Sequence, residues 1–317
     1  MKLRILPILV SFFVIFSFKS TAQDSLESHG ILEIVLPRDT MVQRVIRDRY
    51  IYAERWDTLA QMRFWRRVMT LSPDSSVLNV ADTRQILHTF PTAFYDSLSG
   101  DEKLAFKDSM LTQFSLAKGT RLYVTYGKSD YYQHRAVLPT IGKAIDIFNQ
   151  YETDPWYGQA ILLIESPGQI RKSSAGANGS FQLMKYVAVE GGLTVNSVVD
   201  EREDFEKSAM AAAKYLKRTC IPEVRGMLNA YGLPYDEKEL WFRLLVLHVY
   251  HAGAGNVRGV MRIIQPQAGG MDLIRELWTT EYKGFRNASQ NYSQVALASF
   301  LELDRIIETE YSILKGQ

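Results

Sequence analysis

Between Asp154 and Ile313 apolar residues recur at helical spacing in one segment after another, and this pattern predicts a compact, mainly α second half. Its first helix has a sharp start and a sharp stop. Asp154 is placed as N-cap with Pro155 at the first helical position, and Trp156, Ala160, Leu163 and Ile164 follow at i, i+4, i+7 and i+8. The helix reaches Glu165-Ser166, where Pro167-Gly168 end it, and a Ser/Gly/Ala loop runs from Arg171 to Ser180. Helical patterning resumes from Asp204 to Thr219, with Ala209, Ala212, Ala213 and Leu216 on one face. From Leu240 to Tyr250 apolar side chains occupy several faces, which marks a central helix, ended by Gly253 and Gly255. A last helix is expected from about Ser293 to Ile313, with Ala296, Phe300, Leu303 and Ile307 inward.

The first half is less regular. A helix is expected over Arg55–Leu71, with Trp56, Leu59, Met62 and Phe64 as core candidates, closed by the turn residues Ser72-Pro73-Asp74-Ser75-Ser76. Another starts at Ser99-Gly100-Asp101-Glu102 and runs toward Phe114, and Arg121–Tyr126 alternates like a short strand. Gly127-Lys128-Ser129-Asp130 turns the chain, and residues 24 to about 50 are weakly patterned. The expected organisation is a signal segment over 1–22, a smaller, mainly helical N-terminal region over 23–135, and the helical domain over 136–317.

Lys2 and Arg4, an apolar run from Ile5 to Phe18, and the small residues Ser20 and Ala22 make a secretory signal peptide. The run is shorter than the ~20 residues a membrane span needs. Export to the periplasm or beyond is expected. The single cysteine, Cys220, lies far from the signal junction, so a lipoprotein anchor is not expected, and one cysteine cannot form an internal disulfide. A chain of 317 residues with 46% hydrophobic content can rely on its core instead. Cys220 itself reads as a buried or half-buried thiol. With 37 basic against 35 acidic residues there is no strong field to recruit nucleic acid.

Glu165 is the residue best placed for chemistry. A carboxyl at a helix C-terminus feels the negative end of the dipole, and the apolar run Ile161–Ile164 before it promises partial burial; both raise its pKa. A carboxylic acid kept protonated near neutral pH is the proton donor a glycosidic oxygen requires. The glycines of Gly176-Ala177-Asn178-Gly179 can let a polymer approach backbone amides, and Gln182 offers both donor and acceptor. Tyr250, before the second glycine turn, and Tyr292, before the last helix, are of the type that stacks on sugars and bonds through the hydroxyl.

Four blocks carry a resemblance. Ile161–Met184 (ILLIES…SSAGANGSFQLM) resembles the signature of bacterial lytic transglycosylases, a Glu-Ser pair followed by Ser-x-x-Gly-Ala-x-Gly-Leu-Met-Gln. Val199–Lys217 (VDEREDFEKSAMAAAKYLK) resembles the matching stretch of the membrane-bound lytic murein transglycosylase D type. Val249–Val257 (VYHAGAGNV) is similar to the family's Tyr-Asn-x-Gly-x-Gly-Asn-Val, and Ser289–Ala298 (SQNYSQVALA) to a later Glu-Thr-x-x-Tyr-Val block. The resemblance implies a lysozyme-like fold over 136–317 and, as substrate, the β-1,4 bond between N-acetylmuramic acid and N-acetylglucosamine in peptidoglycan glycan strands, cut to leave 1,6-anhydro ends. It puts Glu165 on the catalytic acid/base, and Ser166, Gln182, Met184, Tyr250 and Tyr292 on substrate-binding positions.

The chain departs from the pattern. The spacing from Glu165 to Gly176 is one residue short, Pro167-Gly168 replace a Phe-Asn-Pro region, and Ser180-Phe181 stand for Leu-Met. Lys185 stands where Pro is common, His251 for Asn, and Ala288-Ser289 for Glu-Thr. Most glycosidases pair two carboxylates; Glu152, Asp154 and Glu190 are candidates only by nearness in sequence. A hydrolysing goose-type muramidase and a weakly active peptidoglycan-binding or scaffold protein therefore stay open as alternatives. His248 and His251 sit at i, i+3 without a third residue at ligand spacing, so neither metal nor cofactor is expected. Residues 23–135 could face a cell-envelope protein partner; no glycan-binding repeat is evident at the C-terminus.

Overall fold

The computed structural model describes residues 29–37, 40–168 and 172–316; the expected signal segment and Arg171 lie outside the described residues. The described residues begin with strands β1 (His29–Val35) and β2 (Val42–Asp48), then helices α1 (Tyr50–Ala53) and α2 (Ala60–Thr70). A lobe follows from β3 (Ser75–Val80), β4 (Ile86–Pro91), α3 (Thr92–Ser97), α4 (Gly100–Gln113) and β5 (Leu122–Tyr126). Helices then dominate: α5 (His134–Gln150), α6 (Pro155–Glu165), α7 (Lys185–Glu190), α8 (Phe205–Tyr215), α9 (Ile221–Ala230), α10 (Leu240–Ala252), α11 (Ala254–Ile264), α12 (Met271–Leu277) and α13 (Asn287–Glu310). Strand β6 (Ser312–Gly316) closes the chain. The fold is mainly α, with two small antiparallel sheets ordered β2-β1-β6 and β4-β3-β5. No helix of the described residues is long and apolar enough to cross a membrane.

The centre is built from α6, α10 and α13. Asp154 caps α6 as its sequence requires, its carboxylate accepting from the Trp156 amide at 2.9 Å. The same carboxylate takes the buried Arg243 of α10 at 2.8 Å, which ties the start of α6 to the middle of the core. α13 is about 36 Å long and is buried on every side from Ser289 to Asp304. Its polar side chains are therefore satisfied internally. Gln294 accepts from the Trp65 indole at 3.1 Å, Ser293 from the Trp278 indole at 2.8 Å, and Asp304 from the Tyr52 hydroxyl at 2.7 Å.

Four sequence expectations are corrected. The helix expected over Arg55–Leu71 is interrupted: Arg55 is left-handed with φ 64°, Trp56–Thr58 forms a 3-10 turn, and the α-helix begins only after the extended Leu59. The helix expected over Asp204–Thr219 does not stop at Thr219. It widens into a π turn at Leu216–Cys220 and continues as α9. Pro222 has no N–H for the carbonyl four residues earlier, so the register must slip there. The last helix begins at Asn287, earlier than Ser293, and ends at Glu310, so Ile313 lies on β6. The smaller N-terminal region keeps more helix than strand, with five strands beside its helices, and the fourth correction lies there. β3 takes in Ser75 and Ser76, which read as turn residues.

The first sheet belongs to the main core. Leu32, Ile34, Val45 and Ile46 join one apolar cluster with α5, α6, α10 and α13, whereas Leu78, Val80, Phe90 and Leu122 form a separate small cluster inside the lobe. The seam between sheet and helices is polar and specific. Gln159, fully buried on α6, bonds both backbone groups of Ile46 on the edge strand β2, each at 2.7 Å. Gln159→Leu removes both bonds and leaves a buried N–H and C=O orphaned, so it is expected to cost about 2 kcal/mol, read as a shift in the urea midpoint. An unshifted midpoint would show that this seam contributes nothing to stability.

Candidate active site

Glu165 is the last residue of α6, and its carboxyl is partly buried. The helix end is fixed by its neighbours: the Tyr131 hydroxyl donates to the Ile164 carbonyl at 3.4 Å, one of the C-terminal carbonyls a helix leaves unpaired. Oε1 of Glu165 accepts from the Tyr292 hydroxyl at 2.7 Å. Burial pushes the Glu165 carboxyl up to about 7, against the opposing pull of the Tyr292 hydrogen bond. The surroundings are phenolic. Burial first, and the Glu165 charge after it, hold the Tyr250 and Tyr292 hydroxyls well above their ordinary range. Tyr132 is also near enough to feel that charge.

Asp154 and Glu152 are engaged elsewhere. Asp154 sits at the opposite end of α6, about 16 Å of helix from Glu165, and is committed to Arg243. Glu152 precedes it and pairs with Lys217 at 2.6 Å. Among the described residues, no carboxylate is one of the groups that shift the Glu165 pKa.

Beyond α6, residues 176–183 fold back as a small, tightly held turn. Asn178 and Leu183 pair as an antiparallel bridge, and the Gln182 amide closes the turn onto the Gly179 carbonyl at 3.0 Å. Gly179 has φ 81°, and a Cβ there would stand 1.8 Å from the Arg202 carbonyl, so only glycine fits. Phe181, at a departure from the family pattern, is fully buried and stacks on Phe148 at 5.7 Å, which anchors the turn. Its carbonyl accepts from the Tyr250 hydroxyl at 2.7 Å, and the Ser180 carbonyl from the Ser166 hydroxyl at 2.9 Å. Gln182, left-handed at φ 46°, donates its side-chain amide to Gly179 at 2.9 Å.

Ser166, Gln182 and Tyr250 thus hold the turn's backbone through their polar atoms, and Tyr292 holds Glu165. Met184, partly buried, leads into α7. The structure brings Ser166, Tyr250 and Tyr292 to the end of α6 beside Glu165, and it ties Gln182 to the turn.

Arg202 was not singled out by sequence reading, yet it clamps the whole turn. It is buried and grips Asp200 through Nε at 2.8 Å and Nη2 at 2.7 Å. Its Nη1 donates to the carbonyls of Gly176 and Leu183, at 2.8 and 2.9 Å. Asn178 completes the network by donating to Asp200 at 3.0 Å. Tyr131 and Tyr132 were also missed; a Tyr-Tyr pair after a turn has no periodicity to mark it. His248 and His251 diverge: His248 bonds the Ser293 hydroxyl at 2.8 Å inside the core, while the His251 ring stacks on Tyr292 at 4.3 Å. No cluster of three or more metal-ligating side chains occurs among the described residues.

No curated protein matches the chain. A family match begins within α5 and ends before α12, so it takes in Glu165, the turn, Arg202 and Tyr250 and leaves Tyr292 to the helix beyond. Residues 144–269 match the family model of the transglycosylase SLT domain, which supports a lytic transglycosylase fold and family for this part of the chain.

Proposed function

We propose that the chain is an exported peptidoglycan lytic transglycosylase of the membrane-bound lytic murein transglycosylase D type, with Glu165 as its single general acid/base. Its substrate is the β-1,4 bond between N-acetylmuramic acid and N-acetylglucosamine. The observation that carries the reading is one carboxyl, raised to about 7 by burial, with no second carboxylate among the described residues acting on it. Such a group is protonated often enough at neutral pH to donate to the leaving oxygen and, once ionised, basic enough to take a proton back. The substrate's own acetamido group stabilises the oxocarbenium-like centre. Glu165 then deprotonates the C6 hydroxyl of the same muramic sugar, which closes the 1,6-anhydro ring with the advantage of intramolecular attack. Ser166, Gln182, Met184 and Tyr250 shape the sugar-facing turn in this scheme, and Tyr292 orients the acid.

The test is mass spectrometry of fragments released from purified peptidoglycan by wild type beside Glu165→Gln. Anhydro-muramic ends from wild type alone support the proposal. Reducing ends would mean hydrolysis, and no release from folded protein that still sediments with peptidoglycan would mean a binding protein.

The pH dependence follows from the acid. The first step needs Glu165 protonated, so kcat/KM is expected to fall as pH rises through about 7, approaching tenfold per unit. Tyr292 bonds the ionised carboxyl and lowers its pKa. Tyr292→Phe is therefore expected to move the alkaline limb to higher pH. A limb that stays in place would sink the orienting role of Tyr292.

A further inference from the structure

The lobe of β3, β4, β5, α3 and α4 meets the helical body along a groove with one-sided chemistry. The groove is a cavity of about 560 Å³ between β5 and the first turns of α13. Its charged lining residues are Arg84, Lys107 and Lys128, and among the described residues no carboxylate lines it. Tyr123 and Tyr126 of β5 supply aromatic faces.

Arg84 is the informative residue. It is only 6% exposed, yet among the described residues it has no carboxylate partner. Its Nη2 donates to the side-chain carbonyls of Asn287 and Asn291, each at 2.8 Å, and its plane lies over the Tyr123 ring. Asp82, two residues before it, pairs instead with Arg121 at 2.9 Å. Neutral amide oxygens orient a guanidinium without neutralising it, and a buried cation of this kind is completed by an anion. Among the described residues Lys107 and Lys128 are likewise outside every ion pair.

Two segments that line the groove also carry residues bonded at the end of α6. Asn291 directly precedes Tyr292, whose hydroxyl bonds Glu165. Lys128 lies three residues before Tyr131, whose hydroxyl reaches the end of α6.

We propose that this groove binds the carboxylate-bearing peptide side branch of the glycan strand whose sugars lie on Glu165. The inference rests on the glycan-cleaving reading. A planar carboxylate matches the fork of Arg84, the two lysines answer further carboxylates, and the tyrosine faces cover the apolar stems between them. The volume falls within the range of sites for small ligands.

Charge reversal at both lysines, Lys107→Glu with Lys128→Glu, leaves Arg84 and the core in place. In titrations of the full chain with a soluble stem tetrapeptide bearing free carboxylates, wild type is expected to bind in a salt-sensitive way. The double variant is expected to bind about tenfold more weakly. In turnover its KM rises about tenfold on peptidoglycan with intact peptides at unchanged kcat, and it behaves as wild type on glycan strands stripped of peptide. No peptide binding by wild type, equal binding by both proteins, or equal affinity for an amidated peptide or for inorganic phosphate would overturn the assignment. The titration needs no turnover. Charge-dependent peptide binding by a protein that cleaves nothing would support the groove and overturn the catalytic reading.

Discussion

Glu165→Gln is expected to lower peptidoglycan turnover by about 10⁴-fold while leaving the fold intact. A glutamine keeps the size and the acceptor oxygen for Tyr292, so the geometry of the site survives. It can neither give up a proton nor take one, so both steps assigned to Glu165 fail together. The same substitution carries a stability signature of opposite sign. The folded carboxyl sits at about 7, above the ordinary carboxylate range, because burial disfavours its charge. The folded state therefore holds the proton more tightly than the unfolded chain, and stability falls as pH rises from the ordinary carboxyl range through about 7. Removing the ionisable group removes that loss. Glu165→Gln is expected to melt close to wild type at pH 4 and above it at pH 8. A variant that loses activity but shows no pH-dependent gain in melting temperature would mean that burial does not raise the carboxyl's pKa in the folded state.

The legibility of this site followed the range of the interactions. The α6 helix was readable because its cap, its proline and its stop are all local: Asp154, Pro155 and Pro167-Gly168 act on residues beside them. Glu165 was readable for the same reason, since helix end and apolar approach are written in adjacent residues. The helix start at Ser99-Gly100-Asp101-Glu102 was legible in the same way, and there Ser99 and Glu102 form a capping box for α4.

What escaped depends on partners far along the chain. β1 and β6 find each other across almost the full sequence, with Val35 opposite Ser312, and nothing near either strand announces it. Gln159 reads as a polar intrusion on an apolar helix until Ile46 appears beside it. The early start of α13 was missed because Asn287, Gln290 and Asn291 look solvated, whereas Arg84 and other distant groups satisfy part of them. Polar side chains buried against remote partners defeat periodicity, which assumes that polar means outside.

Arg202 shows the same limit at the site itself, and its replacement is expected to have the second large effect. Arg202→Met leaves Asp200 and the carbonyls of Gly176 and Leu183 without their donor. Removing one member of such a buried pair is expected to cost about 3 kcal/mol, and the loss should be concentrated in the turn because α6 and α13 do not depend on it. Hydrogen exchange reads this directly. The amides of Asn178 and Leu183, each donating to the other's carbonyl across the turn, should exchange much faster, while those in the middle of α13 keep their protection. Arg202→Lys should not rescue the turn, since an ammonium cannot span Asp200 and two carbonyls in the fixed fork of a guanidinium. Adding Asp200→Asn to Arg202→Met should recover part of the stability, because it removes the stranded charge. If the turn amides exchange as in wild type, the clamp is not what holds the turn. Its geometry would then rest on Phe181 in the core and on the hydroxyls of Ser166 and Tyr250, which fix the two carbonyls beside it.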